Sequence, residues 1–80
     1  MIPVNIQKED PQSIAKLSKR EVQVITLLAE GHTKQKISES LRITKNTVAT
    51  HVSHIYRKLR VNNTHGAISR AYRCGILTLV

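Results

Sequence analysis

Residues 33–59, TKQKISESLRITKNTVATHVSHIYRKL, decide the fold of this chain. Thr33 and Thr44 are both good N-cap residues, and apolar residues at helical spacing follow each of them. The first of the two helices is expected to end near Leu41, which leaves a connection of roughly three residues before the second. Two helices joined so closely predict a helix-turn-helix.

The second of these helices has two distinct faces. Its apolar residues run from Val48 to Leu59 at spacings of four, three and four, which forms one stripe along the helix. The opposite face offers short hydrogen-bonding side chains in place of the long Glu and Lys of a merely soluble helix, and such groups can reach base edges in the major groove of DNA. These polar residues are Asn46, Thr50, Ser53 and Arg57.

A further helix is predicted before this pair. Ser18 and Glu21 have the spacing of a capping box, so a helix should begin directly after Ser18. Gly31 stands directly after this helix, where a glycine in the left-handed conformation commonly forms the C-terminal cap. We therefore expect a helix over residues 19–30.

A fourth helix is predicted after the pair. Asn63 or Thr64 can cap its start, and Gly75 should stop it, with Ile76 folding back on Ala71 in a Schellman motif. The fold class that follows is all-α: a four-helix helix-turn-helix domain in which the third helix is the recognition helix.

Charge and prolines divide the chain into two parts. Residues 1–16 contain both prolines and no sustained periodicity, so they are expected to form a linker or arm, and residues 17–80 the domain. Residues 31–60 carry seven cations against one carboxylate, Glu39. Such a patch suits a polyanion, because each cation set against a phosphate releases condensed counterions. An ordinary solvated surface is the alternative that charge alone leaves open.

Nothing in the sequence points to a catalytic or cofactor site. No Ser-His-Asp or Cys-His arrangement is present, and the 80 residues are too few to enclose a substrate pocket. His51 and His54 are three residues apart but lack a third metal ligand at convincing spacing. The lone Cys74 cannot form an internal disulfide, and no apolar run is long enough to span a bilayer. We expect a cytoplasmic protein that is not an enzyme and uses no metal, cofactor, small-molecule ligand or membrane.

The order of several sequence blocks matches a known family. LSKRE, LLAEGHTK, LRITKNTV, TH and RKLRV occur in that order between residues 17 and 61. They closely resemble the LuxR-type helix-turn-helix of GerE-, NarL- and FixJ-like proteins, and the likeness extends over residues 17–77. The resemblance implies a bacterial transcription regulator that binds double-stranded DNA, with dimerisation through the fourth helix.

Residue roles follow partly from the exposed polar face and partly from the resemblance. Base-edge contacts are expected from Asn46 and Arg57 on that face and, as the resemblance implies, from Ala49, Thr50 and Ser53. Lys34 and Lys36 beside the cap at Thr33 form a natural phosphate clamp. The resemblance adds phosphate contacts from Lys45, Thr47 and Lys58. The expected dimer contacts on the fourth helix are Ile68 and Tyr72.

Three positions depart from the family pattern. Ala49 replaces a lysine that is common there and that reaches a base or phosphate, so one long-reach contact is missing. Lys36 stands where the family usually has Glu, and Thr64 where it often has Arg. The target sequence therefore cannot be carried over from the family.

Two other functions remain open at this point. Region four of a bacterial sigma factor has a similar helix-turn-helix, although the TH after TVA and the fourth helix argue against it. A basic module for protein or RNA interaction is the other, although the chain has few aromatic platforms for single strands. If the chain is a transcription regulator, RNA polymerase is a candidate partner, which the bound protein would recruit or exclude.

Overall fold

The structure, a computed structural model, describes residues 17–78. This part of the chain folds into four helices. The all-α prediction is confirmed, because no strand occurs within this range. The predicted arm at residues 1–16 lies outside it. The helices are α1 (Lys19–Ala29), α2 (Lys34–Leu41), α3 (Lys45–Leu59) and α4 (Thr64–Arg73).

Each helix begins at a side chain that caps it. In α1 the Ser18 hydroxyl accepts from the backbone N–H of Glu21 at 3.1 Å, and the Glu21 carboxylate accepts from the N–H of Ser18 at 2.9 Å. This confirms the capping box predicted from the sequence. The other three caps are Thr33, Thr44 and Asn63, whose side chains accept from the N–H groups of Lys36, Thr47 and Gly66.

All four helices end in the same backbone geometry, the Schellman motif. A residue with positive φ follows the helix, and two backbone hydrogen bonds close the last turn. After α1, the N–H of His32 donates to Leu27 O at 3.1 Å and that of Gly31 to Leu28 O at 2.9 Å. The residues with positive φ are Gly31 (91°), Arg42 (58°), Arg60 (60°) and Gly75 (81°).

An aliphatic core holds the helices together, and α3 lies at its centre. The predicted stripe of α3 is buried, as Val48, Ile55 and Leu59 have no exposed surface and Val52 only 4%. Because α3 packs against α1, α2 and α4, its orientation is fixed from three sides. The core residues from the other elements are Val24, Ile25, Ile37, Ala67, Ala71 and Leu77.

Candidate nucleic-acid interface

The outer face of α3 is open to solvent along its whole length. It lies opposite the buried stripe, so the packing of that stripe turns the polar side chains outward. The structure brings together on this exposed surface all five residues for which the sequence predicts base contacts. They are Asn46, Ala49, Thr50, Ser53 and Arg57.

Thr50, at the middle of this face, is bonded to its own helix. Its hydroxyl donates to the backbone carbonyl of Asn46, one turn earlier, at 3.0 Å. A hydroxyl has one proton to donate and two lone pairs. The Thr50 oxygen can therefore still accept a hydrogen bond from outside, and it can donate to a base only after rotating away from Asn46.

The first turn of α3 places a cation beside a closed cap. Lys45 is the first residue of the helix and is exposed. Thr47 is half-buried, and its hydroxyl shares a hydrogen bond of 2.9 Å with that of the cap residue Thr44. The phosphate contact expected of Thr47 would therefore use a hydroxyl that already belongs to the cap.

The first turn of α2 carries two further cations. Lys34 and Lys36 are exposed there, and Thr33 is the exposed cap residue. Cations near a helix N-terminus are disfavoured by the helix dipole by about 0.3–1 kcal/mol each. An anion bound at this end would reverse that penalty, because it would be attracted by both the lysines and the free backbone N–H groups.

A buried carboxylate joins α1 to α3 at the edge of this surface. The side chain of Glu21 is only 5% exposed, and its Oε1 accepts a hydrogen bond of 2.8 Å from the ammonium of Lys58. The Nδ1 atom of His54 lies 3.7 Å from the other carboxylate oxygen. Lys58, expected to contact phosphate, thus forms an ion pair within the protein.

The pKa of Glu21 is held below its ordinary value. Burial raises the pKa of this carboxyl, but the hydrogen bonds from Lys58 and from the Ser18 N–H, together with the charges of Lys58 and His54, outweigh the burial. Glu21 is therefore ionised at neutral pH. Sequence reasoning identified its capping role but missed the pairing with Lys58, which is 37 residues away along the chain.

The side of α3 that faces α4 carries a second contact that sequence reasoning missed. The hydroxyls of Tyr56 and Thr64 share a hydrogen bond of 2.7 Å, which fixes the start of α4 against α3. On α4, Ile68 is half-buried against the core. Tyr72 is 37% exposed. Of the two predicted dimer-contact residues, Tyr72 is thus accessible and Ile68 only in part.

No group of three or more His, Cys, Asp or Glu side chains is placed to hold a metal ion within residues 17–78. His51 is half-buried, and so is Cys74 at the end of α4. Among the described helices, none has the length and apolar character that a membrane crossing needs.

Comparison with known proteins places this geometry in a family. The model of the family "Bacterial regulatory proteins, luxR family" matches residues 15–71, most of the chain. The chain belongs to the LuxR family of bacterial regulatory proteins. Its helix-turn-helix is therefore of the type that binds DNA in regulators of transcription, as the sequence predicts.

Individual relatives of this LuxR-family chain are bacterial regulators. It is 44% identical to the transcriptional regulatory protein LiaR of Bacillus subtilis over 57 residues, which are 71% of this chain and 27% of LiaR. It is 33% identical to the response regulator protein VraR of Staphylococcus aureus over 73 residues, 91% of this chain and 35% of VraR. The chain thus spans about a third of the length of these relatives.

A solved structure shows the same fold. The crystal structure of the response regulator ChrA, from a heme-sensing two-component system, superposes with a TM-score of 0.75 at 36% identity. The match covers 76% of this chain and 30% of the ChrA chain. A likeness at this identity supports both the all-α architecture and the LuxR-family assignment.

Proposed function

We propose that this LuxR-family domain recognises a specific sequence of double-stranded DNA by placing α3 in the major groove. The observation that supports this most directly is the sidedness of α3, whose aliphatic stripe is buried while its polar face is exposed. A major groove about 12 Å wide admits one α-helix, so the exposed side chains of that helix can contact the base edges.

The chemistry of the exposed face suits particular bases. Arg57 is the one long side chain among the five, and an arginine can bond guanine O6 and N7 together. Asn46 can pair in the same way with adenine, and the methyl group of Ala49 fits against the methyl of thymine. Because Ala49 replaces a common lysine of the family, we expect a target preference of its own at the matching base pair.

Phosphate contacts fix the register of α3 in the groove. The cations in the first turns of α2 and α3 would contact the DNA backbone on either side of the recognition helix. Lys58 would contact phosphate while sharing its ammonium with Glu21, which leaves it fewer protons to donate. The full set is Thr33, Lys34, Lys36, Lys45, Thr47 and Lys58.

The bound form is proposed to be a homodimer on two half-sites about one helical turn apart. Tyr72 and Ile68 of α4 would form the contact between copies. Transcription would then be regulated in the cytoplasm by recruiting or excluding RNA polymerase. The relatives named as response regulators suggest that the chain serves as the DNA-binding output part of such a regulator.

Selection of bound sites from random duplexes, followed by gel-shift titration at several salt concentrations, tests this function. The selected duplex should bind at least about three decades more tightly than a scrambled duplex of equal length and composition. Single-stranded DNA and duplex RNA of the same sequence serve as controls for the alternative functions. Equal affinity for every duplex would defeat sequence-specific recognition, and preference for RNA would favour the RNA module.

A further inference from the structure

The residue that ends each helix differs between the helix-turn-helix and the rest of the domain. In the shared Schellman geometry, α1 and α4 use glycine for the residue with positive φ, at Gly31 and Gly75. The two helices of the helix-turn-helix, α2 and α3, use Arg42 and Arg60 in the same position. Four equivalent positions thus hold two glycines and two arginines.

Arginine is an unfavourable choice for this backbone conformation. A side chain with a Cβ atom is strained at positive φ, whereas glycine adopts it freely. The attraction of a cation to the C-terminus of a helix is a partial compensation. For α3 that compensation is already present, because Arg57 and Lys58 lie in its last turn at ordinary helical φ. The end of α3 therefore does not need the charge of Arg60, and the strain of its positive φ has little compensation.

Both arginines are exposed on rigid backbone. Arg60 is held by the bond from Val61 N to Tyr56 O at 2.9 Å, and Arg42 by the bond from Ile43 N to Ser38 O at 3.0 Å. The neighbouring apolar residues are buried or half-buried, which anchors each turn. The backbone from which each arginine side chain extends is therefore fixed, at one end of α3.

The length of α3 decides what these two ends can meet. Its 15 residues give a straight helix about 22 Å long. The proposed base contacts on it begin at Asn46 and end at Arg57, so Arg42 and Arg60 lie just outside the segment that faces the bases. Side chains beyond its two ends are then next to the sugar-phosphate backbone.

We propose that Arg42 and Arg60 are phosphate contacts that flank the recognition helix, one at each end, and that they are kept as arginine at the expense of stability. A guanidinium can bond two phosphate oxygens together, which fixes orientation as well as adding charge. The inference depends on the proposed function, since it names further contacts of the same DNA-bound state.

Replacement by glycine separates stability from binding. Arg60→Gly in the 80-residue chain should raise the melting temperature by a few degrees, because the strain is removed. Arg42→Gly should raise it less, because α2 has no basic residue in its last turn and the variant also removes the cation at that end. Each should also weaken binding to the selected duplex about fivefold at physiological salt and lower the slope of log K against log salt by about one unit. Arg60→Lys should keep most of the slope.

Gly75→Arg is the matched control. It puts the same residue into the same motif at the end of α4, where no heavy atom lies within 4 Å of an added Cβ. The melting temperature should fall while the salt slope on a single half-site stays unchanged. Glycine variants that gain stability and keep both affinity and slope would overturn the proposal, and so would an equal slope change in the control. Absence of duplex binding by the unmodified chain would instead defeat the proposed function itself.

Discussion

At the scale of single residues, the carboxylate of Glu21 makes two structural contacts at once. It closes the capping box at the start of α1, and it binds the ammonium of Lys58 near the end of α3. Because the side chain is almost fully buried, the second contact is shielded from water on the carboxylate side. The first turn of α1 is thereby tied to the flank of the recognition helix.

Glu21→Gln should lower the free energy of unfolding by about 1 kcal/mol at neutral pH. Glutamine can still accept from the Ser18 N–H, so the change removes mainly the charge that holds Lys58. Lys58 is 39% exposed, and water weakens the pair accordingly. Urea denaturation measures the effect. Comparison of the single variants Glu21→Gln and Lys58→Met with the double variant gives the pairwise energy. A coupling of zero would show that the pair adds no stability.

The same carboxyl should make stability depend on acidity. Its pKa is lower in the folded protein than in the unfolded chain, so the unfolded chain takes up the proton first as the pH falls. The contribution of Glu21 is therefore complete well above pH 4.5, its ordinary pKa, and is lost at lower pH. Unfolding curves of the wild type and Glu21→Gln should converge on acidification. A constant difference down to strongly acidic pH contradicts this sign.

Thr50→Ala should cost about 1–3 kcal/mol of binding free energy and relax the base preference at one position of the site. The reason is the loss of a hydroxyl at the centre of the exposed face. Thr26→Ala is a matched control, because Thr26 donates the same kind of bond to the carbonyl one turn earlier, Val22 O at 2.7 Å, but on α1. A uniform loss of affinity for all duplexes would show that Thr50 does not recognise a base.

At the scale of the helices, a hydrogen bond between two hydroxyls adds to the apolar packing at the junction of α3 and α4. Tyr56→Phe removes the bond to Thr64 and leaves the Thr64 hydroxyl half-buried without that partner. We expect a loss of about 0.5–1.5 kcal/mol in unfolding free energy. Tyr72→Phe is the control, since Tyr72 is exposed and should change stability little. Equal effects of the two variants would show that the junction bond contributes nothing.

The helices could be predicted from the sequence because their signals are local. Ser18, Thr33, Thr44 and the α3 stripe each lie within a few residues of what they determine, and the structure confirms all of them. The end of α2 at Leu41 was also predicted, but the positive φ of Arg42 and Arg60 could not be foreseen, since arginine gives no hint of it. In both cases the next residue, Ile43 or Val61, is half-buried against the core, a contact that only the tertiary fold creates.

The outward direction of the α3 face was also predictable, because a buried stripe leaves the opposite side exposed. The bond between Glu21 and Lys58 was not, since it joins residues 37 positions apart, which only the tertiary fold brings together. Contacts with DNA and between copies remain predictions, as they depend on molecules other than this chain.

At the scale of the whole molecule, Tyr72→Ala should separate dimerisation from DNA recognition. Removing an exposed ring of α4 should leave affinity for a single half-site unchanged. Cooperative binding to two half-sites should weaken, because an aromatic ring at the centre of an interface often contributes 2 kcal/mol or more, roughly thirtyfold in affinity. Gel shifts on both duplexes measure the difference. Unchanged cooperativity would place the dimer contact elsewhere on the domain.

The aliphatic composition of the core has an optical consequence. The chain has no tryptophan, so all of its ultraviolet emission comes from the phenol rings of Tyr56 and Tyr72. Only the first of these rings is held at a helix junction, where its hydroxyl is bonded to Thr64. In a Tyr72→Phe background, the protein would become its own single-fluorophore probe, and the intensity of Tyr56 would report the opening of α4 from α3 without any attached dye.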